Sequence, residues 1–144
     1  MKQTSDANDL SVESGSGDKN SYVVAGAILQ CEYGTQLTRL KLPFSHGVYV
    51  KGKAQTHVAD YVQGINIISF GNCACVHNPA VENSQMVDIN GVKKSPCIPA
   101  LTMPWLSEKS DVLIEGQPAL LKSYKQKCLY GGLIHIEDDG QNLD

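Results

Sequence analysis

Apolar and polar residues alternate along this chain in short bursts, and glycine closes many of them. Three stretches share one form: VYVKGKA (Val48, Val50, Gly52), VDINGVK (Val87, Ile89, Gly91) and VLIEGQPA (Val112, Ile114, Gly116). Period-two alternation puts both aliphatic residues of each stretch on one face of a strand. The polar–glycine pairs Lys51–Gly52, Asn90–Gly91 and Glu115–Gly116 then supply the positive φ of a hairpin turn, and Asn90–Gly91 is the strongest of these signals. The stretches begin 39 and 25 residues apart. That unequal spacing predicts three β-hairpins of one design around a common axis, not a regular solenoid. The segments YVVAGAIL, LTRLKLP, GINIISFG and GGLIHIED read as further β-rich segments bounded by glycine or proline. Prolines at 79, 96, 99 and 104 exclude a long helix over 79–105. The stretch NPAVENSQ predicts one short helical turn, capped by Asn78 with Pro79 in its first position. The expected fold class is therefore a small all-β domain of hairpins and turns.

Composition narrows the picture. A chain of 144 residues predicts one domain, and 13 glycines with 6 prolines favour short elements joined by tight turns. A net charge of −3 supplies no basic patch, which argues against nucleic-acid binding. The longest apolar-and-glycine run, VVAGAIL, is too short to cross a bilayer as a helix. The first 20 residues are polar and lack the apolar stretch of a secretory signal, so they predict a flexible tail on a protein made in the cytoplasm. Residues 139–144 predict a second, acidic tail, leaving 21–138 as the domain. Five cysteines is an odd number, which no closed disulfide framework accommodates.

Five blocks in order carry a family resemblance: VVAGAILQCEYGT, INIISFGNCACVHNP, SPCIPALTMPWL, VLIEGQPALL and KCLYGGLIHI. Over about residues 22–140 the chain resembles the PAAR-like proteins once grouped as a domain of unknown function. The resemblance implies a small conical fold with pseudo-threefold shape that caps the trimeric spike of a type VI secretion or related contractile injection system. It implies a structural protein, not an enzyme, that sharpens the spike for membrane puncture. The implied partner is a trimeric VgrG-like spike protein, bound through the broad base as one copy per trimer. Effector attachment and transient contact with a target membrane are further implied roles. Export would occur on the spike, without a signal peptide. The rival reading is a small zinc-binding interaction module or thiol enzyme unrelated to secretion.

Cys31, Cys73, Cys97 and Cys128 fall inside these blocks, 42, 24 and 31 residues apart. Four thiolates make a closed structural zinc site, and each ligand here would come from a different segment. No CxxC pair supports the assignment, and small buried free thiols or disulfides are the competing readings. Cys75 departs from the family pattern; in CAC at 73–75 either cysteine could supply the fourth ligand. His77 is the best histidine for a mixed ligand set.

His46, His57, His77 and His135 otherwise predict solvent-facing or turn positions, with His135 on the polar face of its strand between Ile134 and Ile136. A thiol-hydrolase pair of Cys73 or Cys75 with His77 lacks a third orienting residue, and no nucleophile elbow, phosphate loop or HExxH pair is present. Trp105, between Pro104 and a strand, reads either as core packing or as part of a docking base.

Overall fold

The computed structural model describes residues 20–75, 77–97, 99–106 and 112–143. The tail expected over residues 1–20 therefore lies outside the described residues except for Asn20. In chain order the elements are β1 (Ile28–Cys31), β2 (Thr38–Arg39), β3 (Tyr49–Val50), β4 (Lys53–Ala54), β5 (Asn72–Cys73), α1 (Pro79–Glu82), β6 (Ser95–Pro96), β7 (Leu113–Ile114), β8 (Gln117–Pro118), β9 (Lys125–Lys127) and β10 (Leu133–Asp138). The fold is all-β. One four-stranded antiparallel sheet runs in the order β2-β1-β10-β9, and three two-stranded sheets pair β3 with β4, β5 with β6 and β7 with β8. Ile134 and Ile136 of β10 are buried while His135 between them is half-buried, as the alternation of LIHIED requires.

At the centre, three segments close a ring of backbone hydrogen bonds. The Val23 N–H donates to the Leu120 carbonyl (3.0 Å), Leu120 to Thr56 (3.1 Å) and Thr56 back to Val23 (3.1 Å). A second tier repeats two residues on, with Ala25 donating to Ala54, Val58 to Pro118 and Lys122 to Ser21. Isolated bridges Tyr22–Leu121, Val24–Gln55 and His57–Ala119 complete it. Each segment then leaves through the same turn: Ala27 donates to Val24, Asp60 to His57 and Tyr124 to Leu121. The backbone thus repeats three times around one axis. Val23, Thr56 and Leu120 are three different residue types, two aliphatic and one hydroxylated, but all are fully buried, and the Thr56 hydroxyl is satisfied by the Val23 carbonyl (2.8 Å). Backbone pairing accepts any side chain that fits the interior, which hides the repeat from the sequence.

Two of the three expected hairpins enter this ring at equivalent places. The Gln55 N–H donates to Val48 (2.8 Å) and the Ala119 N–H to Val112 (2.9 Å), at matching distances from Thr56 and Leu120. Both turns place two residues at positive φ, Lys51 (52°) with Gly52 (78°) and Glu115 (51°) with Gly116 (81°). That geometry matches the right-handed twist of paired strands. The VDINGVK stretch also turns back on itself, through the Val87–Lys93 bridge. It does so through a longer loop: Gly91 donates to Asp88 (3.0 Å), and the Asp88 carboxylate accepts the N–H groups of Asn90 and Val92. Lying between α1 and β6, it does not occupy the third place around the ring. That place is packed by the carboxy-terminal residues. Asp139 accepts from the Val24 N–H (3.0 Å), the Gln141 amide donates to Tyr22 (2.7 Å), and Lys51 reaches Asn142 (3.1 Å). Residues 139–142 are therefore tied to the ring instead of forming a loose acidic tail.

The short helix forms where expected, with the Asn78 side chain accepting from the Ala80 N–H (3.0 Å) and Pro79 in the first turn. GINIISFG, by contrast, forms turns and a single Gln63–Ile67 bridge, because Ile65 and Asn66 both donate to the Val62 carbonyl. Its Ile67 and Phe70 are fully buried in the core with Leu29, Leu40, Leu120 and Ile134. Trp105 is buried too, donating from Nε1 to the Asp60 carbonyl (3.1 Å), and so is a core residue.

Candidate metal centre

Beyond the ring, the chain carries Cys31 at the end of β1 and Cys128 just after β9. Cys31 lies eight residues after Val23, and Cys128 eight after Leu120. They are ring equivalents, and each opens the same turn: Gly34 donates to the Cys31 carbonyl (3.0 Å) and Gly131 to that of Cys128 (2.8 Å). The third equivalent position is Gly64. Its place is supplied from elsewhere by β5 and β6. Cys73 bridges to Gly34, and Cys97 donates its N–H to Gly71 (2.7 Å).

All five cysteines are free and buried. Together with Tyr33, Tyr130 and Gly132 they line one cavity with about 10 Å³ of free space, close to the room one water or a single ion needs. Gly132 sits where it does because a Cβ there would stand 3.0 Å from the Cys31 sulfur.

The sulfurs are not equivalent. Cys73 accepts the Cys75 N–H (3.4 Å) and Cys128 accepts the Ala100 N–H (3.3 Å). Cys31 has the Tyr33 backbone as its donor, and Cys97 the Phe70 backbone with the Ser69 side chain. Such N–H donors are the support a metal thiolate uses. Cys75 does the opposite, donating its S–H to the Tyr130 carbonyl (3.0 Å). Burial pushes the Cys31 thiol up to about 11, the Tyr33 N–H opposing and the neighbouring thiols of Cys97, Cys128 and Cys73 adding to the rise. Burial raises Cys97 in the same way. Among the described residues, however, the cysteine sulfurs do not include three within 4.8 Å of one another. His77 is exposed on the turn before α1 and does not line the cavity, so the alternate ligand set that includes it is not assembled here.

The set of ligand atoms that does meet 4.8 Å spacing is His46, His57 and Glu115, a possible His/Glu metal site. The sequence predicts solvent-facing or turn positions for these histidines, and His57 does open the turn that Asp60 closes. His57 is in fact buried beside the ring, its ring stacked on His46 with centroids 4.0 Å apart. His46 Nε2 contacts both carboxylate oxygens of buried Asp60 (2.9 and 3.1 Å), and its Nδ1 contacts Glu115. Three segments 11 and 58 residues apart meet here, and no local pattern announces it. His135 does stay on the polar face, bonded to Gln30 (3.2 Å) and Glu137 (2.8 Å).

Residues 23–141 match the family described as a domain of unknown function (DUF4280), and the chain belongs to that family. No curated protein and no solved structure matches it. No helix among the described residues is long and apolar enough to cross a membrane.

Proposed function

We propose that this protein is a PAAR-like structural tip that caps a trimeric, VgrG-like spike in a type VI secretion or related contractile injection system. The observation that carries the reading is the backbone ring of Val23, Thr56 and Leu120 with its threefold-repeated second tier and turns. A threefold-symmetric partner is best met by a chain whose own backbone repeats three times, and the ring supplies that repeat. The role is mechanical, with no catalytic residue assigned. Assembly takes place in the cytoplasm and export on the spike itself.

Zinc held by Cys31, Cys73, Cys97 and Cys128 is the structural part of the proposal. The donor chemistry fits: four buried thiols face one small cavity, and each has a hydrogen-bond donor. A closed tetrahedron needs metal–sulfur distances of about 2.3 Å, so binding draws the sulfurs inward and displaces their protons. Bound zinc would supply a cross-link between four segments.

Co-expression with a trimeric β-helical spike protein, followed by native mass spectrometry, tests the docking. One copy per trimer is expected; failure to bind any such trimer would defeat the reading.

A further inference from the structure

Two open hollows, of about 240 and 460 Å³, adjoin beside β2 and share Ala25, Gly26 and Arg39 as lining. We propose that they form one groove that binds an acidic peptide segment of a partner protein. Its carboxylates meet Arg39, Lys41 and Lys53, and an apolar side chain between them packs on Leu42, Pro43 and Ile65.

Local rules build the walls. In LTRLKLP, alternation buries Leu40 and turns Arg39 and Lys41 outward, where both are exposed. The Leu40 backbone is fixed, its N–H donating to Ala27 and its carbonyl accepting from Gly26 (both 2.8 Å). Buried Asn66 holds Lys41: its carbonyl accepts the Lys41 N–H (2.9 Å), and its side-chain amide donates to the Lys41 carbonyl (2.8 Å). That clamp sets the neighbouring Ile65, 52% exposed, into the wall of the larger hollow. In the smaller one, half-buried Lys53 donates from Nζ to the Gly140 carbonyl (3.1 Å), which holds its ammonium in the lining.

The charge is one-sided. The chain has a net charge of −3, yet the lining residues include three cations and no aspartate or glutamate. That pattern is complementary to an anionic partner. The cations are spread along the groove, with Lys53 in one hollow, Lys41 in the other and Arg39 shared by both. Spread cations suit several carboxylates on a chain better than one phosphate. Exposed ion pairs contribute little each, so apolar contact must add to them. Leu42, Pro43 and Ile65 supply it, and Phe44, next in the chain, is 85% exposed. This role uses neither the cysteine cavity nor a spike, so it stands or falls apart from the reading above.

The test is a fluorescent heptapeptide alternating glutamate and leucine, titrated into the full chain at low salt and followed by anisotropy. Saturable binding is expected, weakened by added salt. Lys41→Glu and Ile65→Ser should each weaken it by about fivefold; both positions are exposed, and circular dichroism checks that both variants fold. A heptapeptide alternating lysine and leucine should not bind. Inorganic phosphate, with ionic strength matched by chloride, should not displace the acidic peptide. The proposal is overturned if the acidic peptide does not bind, if the basic one binds as well, if phosphate displaces it, or if neither substitution changes the affinity. Binding to phosphatidylglycerol vesicles that Lys41→Glu abolishes, with no binding of the peptide, would overturn it in favour of a membrane surface.

Discussion

Cys75 sends its S–H proton to the Tyr130 carbonyl, whereas Cys31, Cys73, Cys97 and Cys128 each have an N–H donor. A sulfur that accepts hydrogen bonds is arranged to carry negative charge; one that donates is arranged to stay a thiol. Cys75→Ser keeps a donor at that point and should leave zinc content unchanged. Serine at any of the other four should drop it below about half an equivalent by elemental analysis of purified protein. Gly132 tests the cavity wall. Its missing Cβ would stand 3.0 Å from the Cys31 sulfur, so Gly132→Val should cost about 1–3 kcal/mol by overpacking. Thermal unfolding reads this, and an unchanged midpoint would mean that the wall yields.

Among the elements, the short helix and the two ring hairpins follow from local rules. Asn78 is buried, accepts the Ala80 N–H and also lines the cysteine cavity. Asn78→Ala should cost about 1 kcal/mol in urea unfolding, the usual loss of a cap. The hairpins at Lys51–Gly52 and Glu115–Gly116 were legible because a polar–glycine pair between alternating apolar residues has few other uses. Asn90–Gly91, the stronger pair by residue type, forms its turn by a different route and away from the ring. Asp88 accounts for this: its carboxylate takes the Asn90 and Val92 N–H groups and stabilises a longer loop. GINIISFG misled for a related reason. Its apolar residues face the core from turns, and alternation alone cannot tell that from a strand.

For the whole molecule, alkaline pH would distinguish metal-free protein from the proposed zinc-bound state. In chelator-treated protein the Cys31 pKa is raised from 9.0 to about 11, and that of Cys97 is also raised. The unfolded chain therefore loses these protons first as pH rises. Stability from the two thiols is complete below about pH 9 and drains away toward about pH 11. Urea unfolding at the two ends of that window should show the loss in chelated protein and not in zinc-loaded protein, whose thiolates have already lost their protons. Equal loss in both would argue that zinc does not sit on these sulfurs.

Taken alone, the sequence settled what depends on near neighbours: an all-β chain, the polar–glycine hairpin turns at Lys51–Gly52 and Glu115–Gly116, and a capped helical turn. Tertiary structure decided what depends on distant backbone. It made Val23, Thr56 and Leu120 equivalent, although hydrogen-bonded peptide groups leave no mark on side-chain identity. It also showed that Cys31 and Cys128 are true internal counterparts, with Cys73 and Cys97 brought in by other strands. Finally, it buried His57 against His46 and Asp60. Each of those residues is ordinary in its own stretch, and only closure of the ring puts their charges within reach of one another.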